Sequence, residues 1–355
     1  MNGRDFTQMI KLAPGVTPTG TSSVNGTRTN AKNFQIDGAD NNDAYSNAVA
    51  VNQGGVSGIA GALVPIEALD EFSVETNASA DAGRNAGGAV QMVIKSGTNV
   101  LHGSLFFFDR NEFLAWRSPV QSPTSAFPEI RNNQFGFAVG GPIIKNKTFF
   151  FLTGEVQLAV AGLSVLDTTP SPAWVAAAQG VLAKYNTQVN PISQSLLGLF
   201  PSSVLTGPAA PNNYLANGLN TYNSFNGISK VDHRFSDKHT LAVRYLGGTG
   251  TQTADVGSHI KDYFQTAPMH VHNFSVVEND IWSPKLVNQI TLGTNYFLQT
   301  FNDFNVGYSS AADGLLTGSS VAGAPQVKIT GFDYTGATPP LGRTDVVGQI
   351  GRAHV

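Results

Sequence analysis

The sequence predicts a mainly β protein: a small α/β part at the N-terminus, then an antiparallel transmembrane β-sheet whose strands are joined alternately by tight turns and long loops. Three observations predict it. Charged residues are only 13% of the 355, well below the roughly 25% of an ordinary soluble domain, while Gly and Phe are frequent, a profile that suits β-structure with one face in an apolar medium. The character of the chain also changes once, between Gly83 and Phe108. A Gly/Asn/Ala-rich region poor in aromatics ends there in the β-prone run Val90 to Ile94 and a Lys95-Ser96-Gly97-Thr98-Asn99 turn signal, and aromatic strands follow at once. Thirdly, the connections between those strands alternate in length, as an outer-membrane topology requires.

Composition narrows the function classes. A net charge of -3 with no Lys/Arg clusters gives no electrostatic footprint for nucleic acid. With no cysteine there is neither a disulfide framework nor a thiolate metal site. Met1 to Asp5 lacks the basic and apolar regions of a signal peptide, and the longest apolar runs fall short of the roughly 20 residues of a membrane helix. Membrane strands need no such run.

In chain order, Phe6, Met9, Ile10 and Leu12 suggest a short helix ended by Pro14-Gly15. Asn25, Gly26 and Arg28 follow in a turn, and Phe34 to Asp43 reads as a strand running into a dense Asp/Asn/Gly turn: Asp37, Gly38, Asp40, Asn41, Asn42, Asp43. The acidic turn suggests calcium by its oxygen ligands, but the EF-hand spacing, with Gly at loop position six and Glu at twelve, is absent, and an Asx-turn is the expected role. Residues 52–63 are Gly, Ala and Val with almost no charge and read as a loop. Pro65 to Thr76 gives a helical turn and then a strand, with Glu67, Asp70, Glu71 and Glu75 as surface carboxylates rather than an acid/base pair.

From His102 onward about seven strands can be parsed by period-two alternation. Phe135, Phe137 and Val139 share one face, opposite Gln134, Gly136, Ala138 and Gly140; Leu241, Val243 and Tyr245 oppose Thr240, Ala242 and Arg244. The first set in each strand is expected to face lipid and Arg244 the lumen, because arginine on the lipid face costs about 2–4 kcal/mol at mid-bilayer. Stretches 142–147, 236–239 and 283–285 read as tight turns, whereas 110–131, 159–220 and 247–267 read as long loops. Within the longest, Ser171-Pro172 and Asn190-Pro191 are helix starts with proline at the first helical position.

The motifs resemble the TonB-dependent outer-membrane receptors of the Oar-like type. In that family an "AGG-V-x-x-V-x-KSGTN" segment ends a plug domain and "HGS" plus aromatics begin the barrel; Gly83, Arg84, Gly87, Gly88, Lys95, Ser96, Gly97, Thr98 and Asn99 stand in that pattern here. The family's "NG-x-R … DG-x-DNND" plug segment matches Asn25, Gly26, Arg28 and Asp37 to Asp43, and Pro65 to Thr76 matches another. Asn190 to Pro201, Pro211 to Tyr214 and Lys230 to His239 continue the likeness, with Lys230 where the family usually carries Arg. The resemblance implies a plug over residues 1–99 and the N-terminal part of a truncated barrel over 100–355. An "LNGR-[DN]-F" segment lies well inside family members, so Asn2 to Phe6 suggests that Met1 is an internal or misassigned start. Such barrels close at roughly 22 strands, so about seven leave an incomplete sheet with the strand at His102 as one edge.

The resemblance further implies a receptor that takes an unknown ligand from outside, spans outer-membrane lipid, and has its plug moved by the inner-membrane TonB complex through a TonB box absent from this chain. A plugged barrel used for adhesion or export is a second reading, and a secreted glycan-binding β-sandwich a third. A signal peptide and TonB box upstream would favour the first. No G-x-S-x-G elbow, P-loop, G-x-G-x-x-G or H-E-x-x-H occurs, so no catalytic or cofactor residue is expected. His270 and His272 share a strand face but lack a carboxylate to complete a metal site, and read as polar wall residues.

Overall fold

The structure, a computed structural model, describes residues 7–17, 23–43, 47–51, 62–77, 87–114, 129–162, 164–201, 210–304, 307–309, 311, 314–315, 324–336 and 342–354. Of the loop expected at 52–63, residues 52–61 lie outside the described residues, as do Gly83 and Arg84, while Ala62 and Leu63 are described and lie outside helix and strand.

The N-terminal unit is a four-stranded sheet. After a single helical turn, α1 (Thr7–Ile10), come β1 (Asn33–Ile36), β2 (Ala39–Asp40), β3 (Leu69–Glu75) and β4 (Ala89–Ile94), in the order β2-β1-β4-β3. β1 runs parallel to β4, and β2 and β3 are antiparallel additions at the edges. β1 and β4 lie in the middle with both faces covered: all four residues of β1, the polar Asn33 and Gln35 among them, and four of the six in the mostly apolar β4 are buried. β1 and β2 join through Asp37-Gly38, both at positive φ (47° and 76°), the geometry for which Asp-Gly is the favoured two-residue hairpin turn.

The rest forms one antiparallel sheet. Its strands are β5 (His102–Asn111), β6 (Ile130–Ile144), β7 (Thr148–Gly162), β10 (Leu219–Arg234), β11 (His239–Ala254), β12 (Gln265–Ser283), β13 (Leu286–Asp303) and β14 (Gly342–His354). A two-stranded ribbon, β8 (Val165–Asp167) with β9 (Tyr214–Ala216), and the helices α2 (Pro172–Lys184) and α3 (Pro191–Leu197) lie between β7 and β10. The large sheet runs β14-β13-β12-β11-β10-β7-β6-β5, so it is open, with β5 and β14 as edges. The expected edge at His102 is therefore where the sheet begins.

Short and long connections alternate as read from the sequence, with one correction of extent. The loop expected over 247–267 is largely strand: β11 and β12 stay paired from Gly247↔His272 to Ala254↔Gln265. Gly-rich sequence weakens a strand's own preference, but each residue here gains its ladder bonds from a partner on either side, and the loop shrinks to 255–264. The two proline-started helices form as read. Ser171 Oγ accepts from Trp174 N and Asn190 Oδ1 from Ile192 N, satisfying donors that a helix start leaves free.

Alternation sorts the sheet into two faces. Phe135, Phe137, Leu152, Leu158, Phe225, Tyr245, Phe274 and Leu292 point outward and are exposed, while Gln134, Thr153, Glu155, Gln157, Ser224, Asn226, Arg244, Asn273, Ser275 and Asn295 are buried on the inner face. That is the apolar-out, polar-in pattern of a membrane barrel wall. Tyr245, His272 and Tyr296 form a row of rings on the outer face, with centroids 6.0 Å and 5.8 Å apart. His270 and His272 hydrogen-bond Thr249 and Tyr245 there.

Candidate functional site

The inner face of the large sheet is buried because the N-terminal unit sits on it. A shared apolar cluster joins Ile36, Ala62, Val64, Met92 and Ile94 of that unit to Ala138, Phe151, Ile228, Leu246, Met269, Val271 and Phe297 of the sheet. Phe151 explains why β7 begins with Phe on both faces: this ring belongs to the inner cluster.

Within this contact lies a charged constellation. Lys230 on β10 and Arg244 on β11 are directly opposite in the ladder and both point inward; their side chains are 8% and 1% exposed. Directly opposed like charges destabilise a sheet, and buried ones far more. The anion that compensates them is Asp37, at the tip of the β1–β2 hairpin. Its Oδ2 lies 3.1 Å from Arg244 Nε and its Oδ1 3.6 Å from Lys230 Nζ. The same Oδ1 accepts the Ile94 N–H at 2.9 Å, which fixes the hairpin tip to the end of β4. Both cations also reach backbone: Lys230 Nζ donates to Ile94 O at 2.7 Å, and Arg244 Nη2 to Ile36 O at 3.1 Å.

Asparagine amides extend the contact. Arg244 Nη2 donates to Asn273 Oδ1 at 2.7 Å, Asn273 Nδ2 to Asp40 O at 3.1 Å, and Asn295 Nδ2 to Asn42 O at 3.2 Å. Asn226 Oδ1 accepts Leu63 N at 2.9 Å. Uncharged amides can satisfy a partner's backbone without the desolvation penalty of an ion, so the unit is held through its main chain at several points and by charge at one.

The other motif residues shape the N-terminal unit or tie its exit. Asp40 Oδ1 accepts Asn42 N, an Asx-turn; Asp43 Oδ2 accepts Ala48 N, and Asn41 O accepts Ala50 N. Asn42 bonds Phe34 N, Lys32 O and Asn47 O through its amide. These oxygens are occupied by backbone donors, in the role expected of an Asx-turn. Asn25 and Gly26 form a left-handed turn, with Asn25 Nδ2 donating to Thr76 O; Arg28 O accepts Ala31 N, Gly87 N donates to Ala31 O, and Gly88 O accepts Asn33 N.

The exit, 95–99, is tied both to the N-terminal unit and to the large sheet. Lys95 Nζ donates to Glu67 O, Ser96 hydrogen-bonds Asp232, and Thr98 Oγ1 donates to Val100 O. Asn99 makes a reciprocal pair with Asn146 in the β6–β7 turn, at 2.6 Å and 2.7 Å. Gly97 passes so close to β6 and β7 that a Cβ would lie 2.3 Å from Phe150 O and 2.6 Å from Gly141 O.

Sequence reasoning placed Arg244 inward and Asp37 in a turn but did not join them. The available signal was the tight turn at 236–239: the hairpin register it sets puts Lys230 and Arg244 opposite each other, two cations requiring an anion from elsewhere.

Comparison with known proteins agrees with this architecture. The family described as "Outer membrane beta barrel domain" matches residues 93–353. A curated relative, the TonB-dependent transporter Oar of Myxococcus xanthus, is 28% identical over 155 residues, 42% of this chain and 14% of its own length. Among solved structures, the outer membrane transporter YddB of Escherichia coli aligns with a TM-score of 0.51 at 12% identity, over 94% of this chain and 38% of its own. A mutant of the ferric enterobactin receptor PfeA of Pseudomonas aeruginosa, in complex with enterobactin, aligns at 0.50 and 13% identity over 99% and 43%. This chain thus spans well under half the length of these relatives. The sequence relative is a TonB-dependent transporter, the solved structures are an outer membrane transporter and a receptor that share the fold, and the protein belongs in the outer membrane.

Proposed function

We propose, starting from the fact that this chain belongs to the outer-membrane β-barrel domain family, that it is part of a TonB-dependent receptor that imports a ligand across the outer membrane. Residues 1–99 act as the plug and 100–355 as the first part of the barrel wall. The observation that carries this reading is Asp37, seated between two inward cations of the wall. An electrostatic contact of this kind holds the N-terminal unit in place at rest, yet it is worth little once water enters, because the Coulomb attraction falls as the effective dielectric rises. A pull on the chain from the periplasm, supplied by the TonB complex, would wet the contact and release the unit as one body while the asparagine amides give way one by one. The motif residues from Asn25 to Asp43 and from Gly87 to Asn99 serve as the plug's own turns and its tether. The ligand reaches the plug from the side of the long loops.

A cysteine at Ala62, which is fully buried against the wall in a chain without native cysteine, tests this in cells carrying the full-length receptor. A membrane-impermeant maleimide should label Ala62→Cys faster when the TonB complex is present and the inner membrane energised. Equal labelling with and without the complex would instead favour an adhesion or export barrel whose plug stays put.

A further inference from the structure

Away from the Asp37 contact, three side chains from distant segments converge among the long connections. Asp167 ends β8, His259 lies between β11 and β12, and Asp333 lies in the described stretch 324–336. Asp167 is 92 residues and Asp333 74 residues from His259 along the chain. His259 Nδ1 is 2.7 Å from Asp167 Oδ2, and its backbone N–H donates to Asp333 Oδ2 at 3.0 Å. One ligand-type atom from each residue lies within 4.8 Å of the other two. Asp333 is 5% exposed, and Asp167 and His259 are half-buried.

The backbone builds this arrangement deliberately. Asp333 N donates to Thr168 O, Tyr334 N to Asp333 Oδ1 and Thr168 N to Asp167 Oδ1, so both carboxylates are oriented by main chain rather than left to swing in solvent. Two carboxylates face one imidazole, and among the described residues no Lys or Arg pairs with either. Burial and the neighbouring Asp167 charge push the Asp333 carboxyl up from its ordinary value, against the opposing pull of its backbone donors and of His259. The hydroxyl of Thr169, two residues beyond Asp167 in a fully buried residue, also has no hydrogen-bond partner among the described residues.

We propose that Asp167, His259 and Asp333 hold a divalent transition-metal ion of the zinc class through one imidazole nitrogen and two carboxylate oxygens. The donor set selects the ion. Calcium takes six to eight oxygens and has no use for imidazole, and copper(I) and iron–sulfur groups want thiolates, which the chain lacks. One nitrogen and two oxygens with positions left for water suit Zn(II), Mn(II) or Fe(II). The ion would clip the β8–β9 ribbon, the 255–264 loop and the 324–336 stretch together. A clip closing loops this long removes much conformational freedom, and so would set the shape of the surface that the ligand meets first. This site is independent of the plug contact, and its test does not depend on transport.

The full-length receptor, stripped with a chelator, is titrated with Co(II) as the probe and then with Zn(II). One Co(II) per chain should bind with a visible absorption band and be displaced by Zn(II). His259→Ala and Asp333→Asn should weaken binding by more than the 10–100-fold typical of outer-shell changes, while His270→Ala leaves it unchanged. His259→Gln, which keeps a hydrogen bond to Asp167, should also lose the ion if its fold is retained. Zn(II) should slow tryptic cleavage after Lys261 and Lys328 in the parent protein only. Absence of a stoichiometric site in the parent protein, or equal affinity in His259→Ala, would overturn the proposal and leave the cluster an ion pair that ties loops without metal.

Discussion

Replacing Asp37 by Asn is the sharpest perturbation of the contact between the N-terminal unit and the sheet. The two attractions, at 3.1 Å and 3.6 Å, are each about 5 kcal/mol gross at an effective dielectric of about 20. Burying three ions costs several kcal/mol apiece, so the intact triad is close to break-even against an apolar replacement. Its removal is not symmetrical, however. Asp37→Asn keeps the shape and an acceptor for the Ile94 N–H, but it leaves Lys230 and Arg244 opposed and buried, with Asp232 near Lys230 as the remaining carboxylate. Losing one partner of a buried pair costs about 3–5 kcal/mol. The assay is urea-induced channel opening of the full-length receptor in planar bilayers, which reports displacement of the N-terminal unit. With an m-value of about 1–3 kcal/mol/M, the midpoint should fall by at least about 1 M. The triple variant Asp37→Leu, Lys230→Met, Arg244→Met, which removes all three charges together, should recover most of the loss. An unchanged midpoint in Asp37→Asn, or a triple variant as weak as the single one, would refute the reasoning.

Asn226→Ala and Asn295→Ala each strand a backbone group of the N-terminal unit and should each cost about 1–3 kcal/mol; as they share no partner their effects should add in the same assay, whereas Asn273→Ala should not add to Arg244→Met because the two side chains are bonded. Gly97→Ala forces a Cβ against two carbonyl oxygens and should abolish the compact, heat-modifiable form on gels; Gly227→Ala, whose Cβ would meet its nearest atom at 3.5 Å, should leave it intact. Nitroxides at Phe137 and Val243 should be relaxed by oxygen in the lipid, and those at Ala138 and Arg244 should not; the opposite pattern would invert the faces. Trypsin added to intact cells should cut after Lys184 at the end of α2 and spare Lys145 and Lys147 in the β6–β7 turn.

Much of this was legible in the chain. A strand's side-chain period of two is local, so Phe135, Phe137 and Tyr245 against Gln134 and Arg244 declared the two faces without any knowledge of neighbours. Proline after Ser171 and Asn190 declared two helix starts for the same reason. Strand ends were less legible: Gly247 to Ala254 looked like loop because glycine says nothing about pairing, and only the ladder with 265–272 kept it extended.

Local pattern alone carried the change of character near residue 99, the alternation of tight and long connections, and the two faces of the stretches from Gln134 to Gly140 and from Thr240 to Tyr245. Packing brought Asp37 to Lys230 and Arg244, locked Asn99 onto Asn146, and gathered Asp167, His259 and Asp333. The first group depends on short-range backbone geometry, which adjacent residues encode. The second depends on contacts between residues tens to hundreds of positions apart, such as the 208 between Ile36 and Arg244; no local pattern specifies such partners, because any inward cation could be compensated by any carboxylate the packing brings within reach.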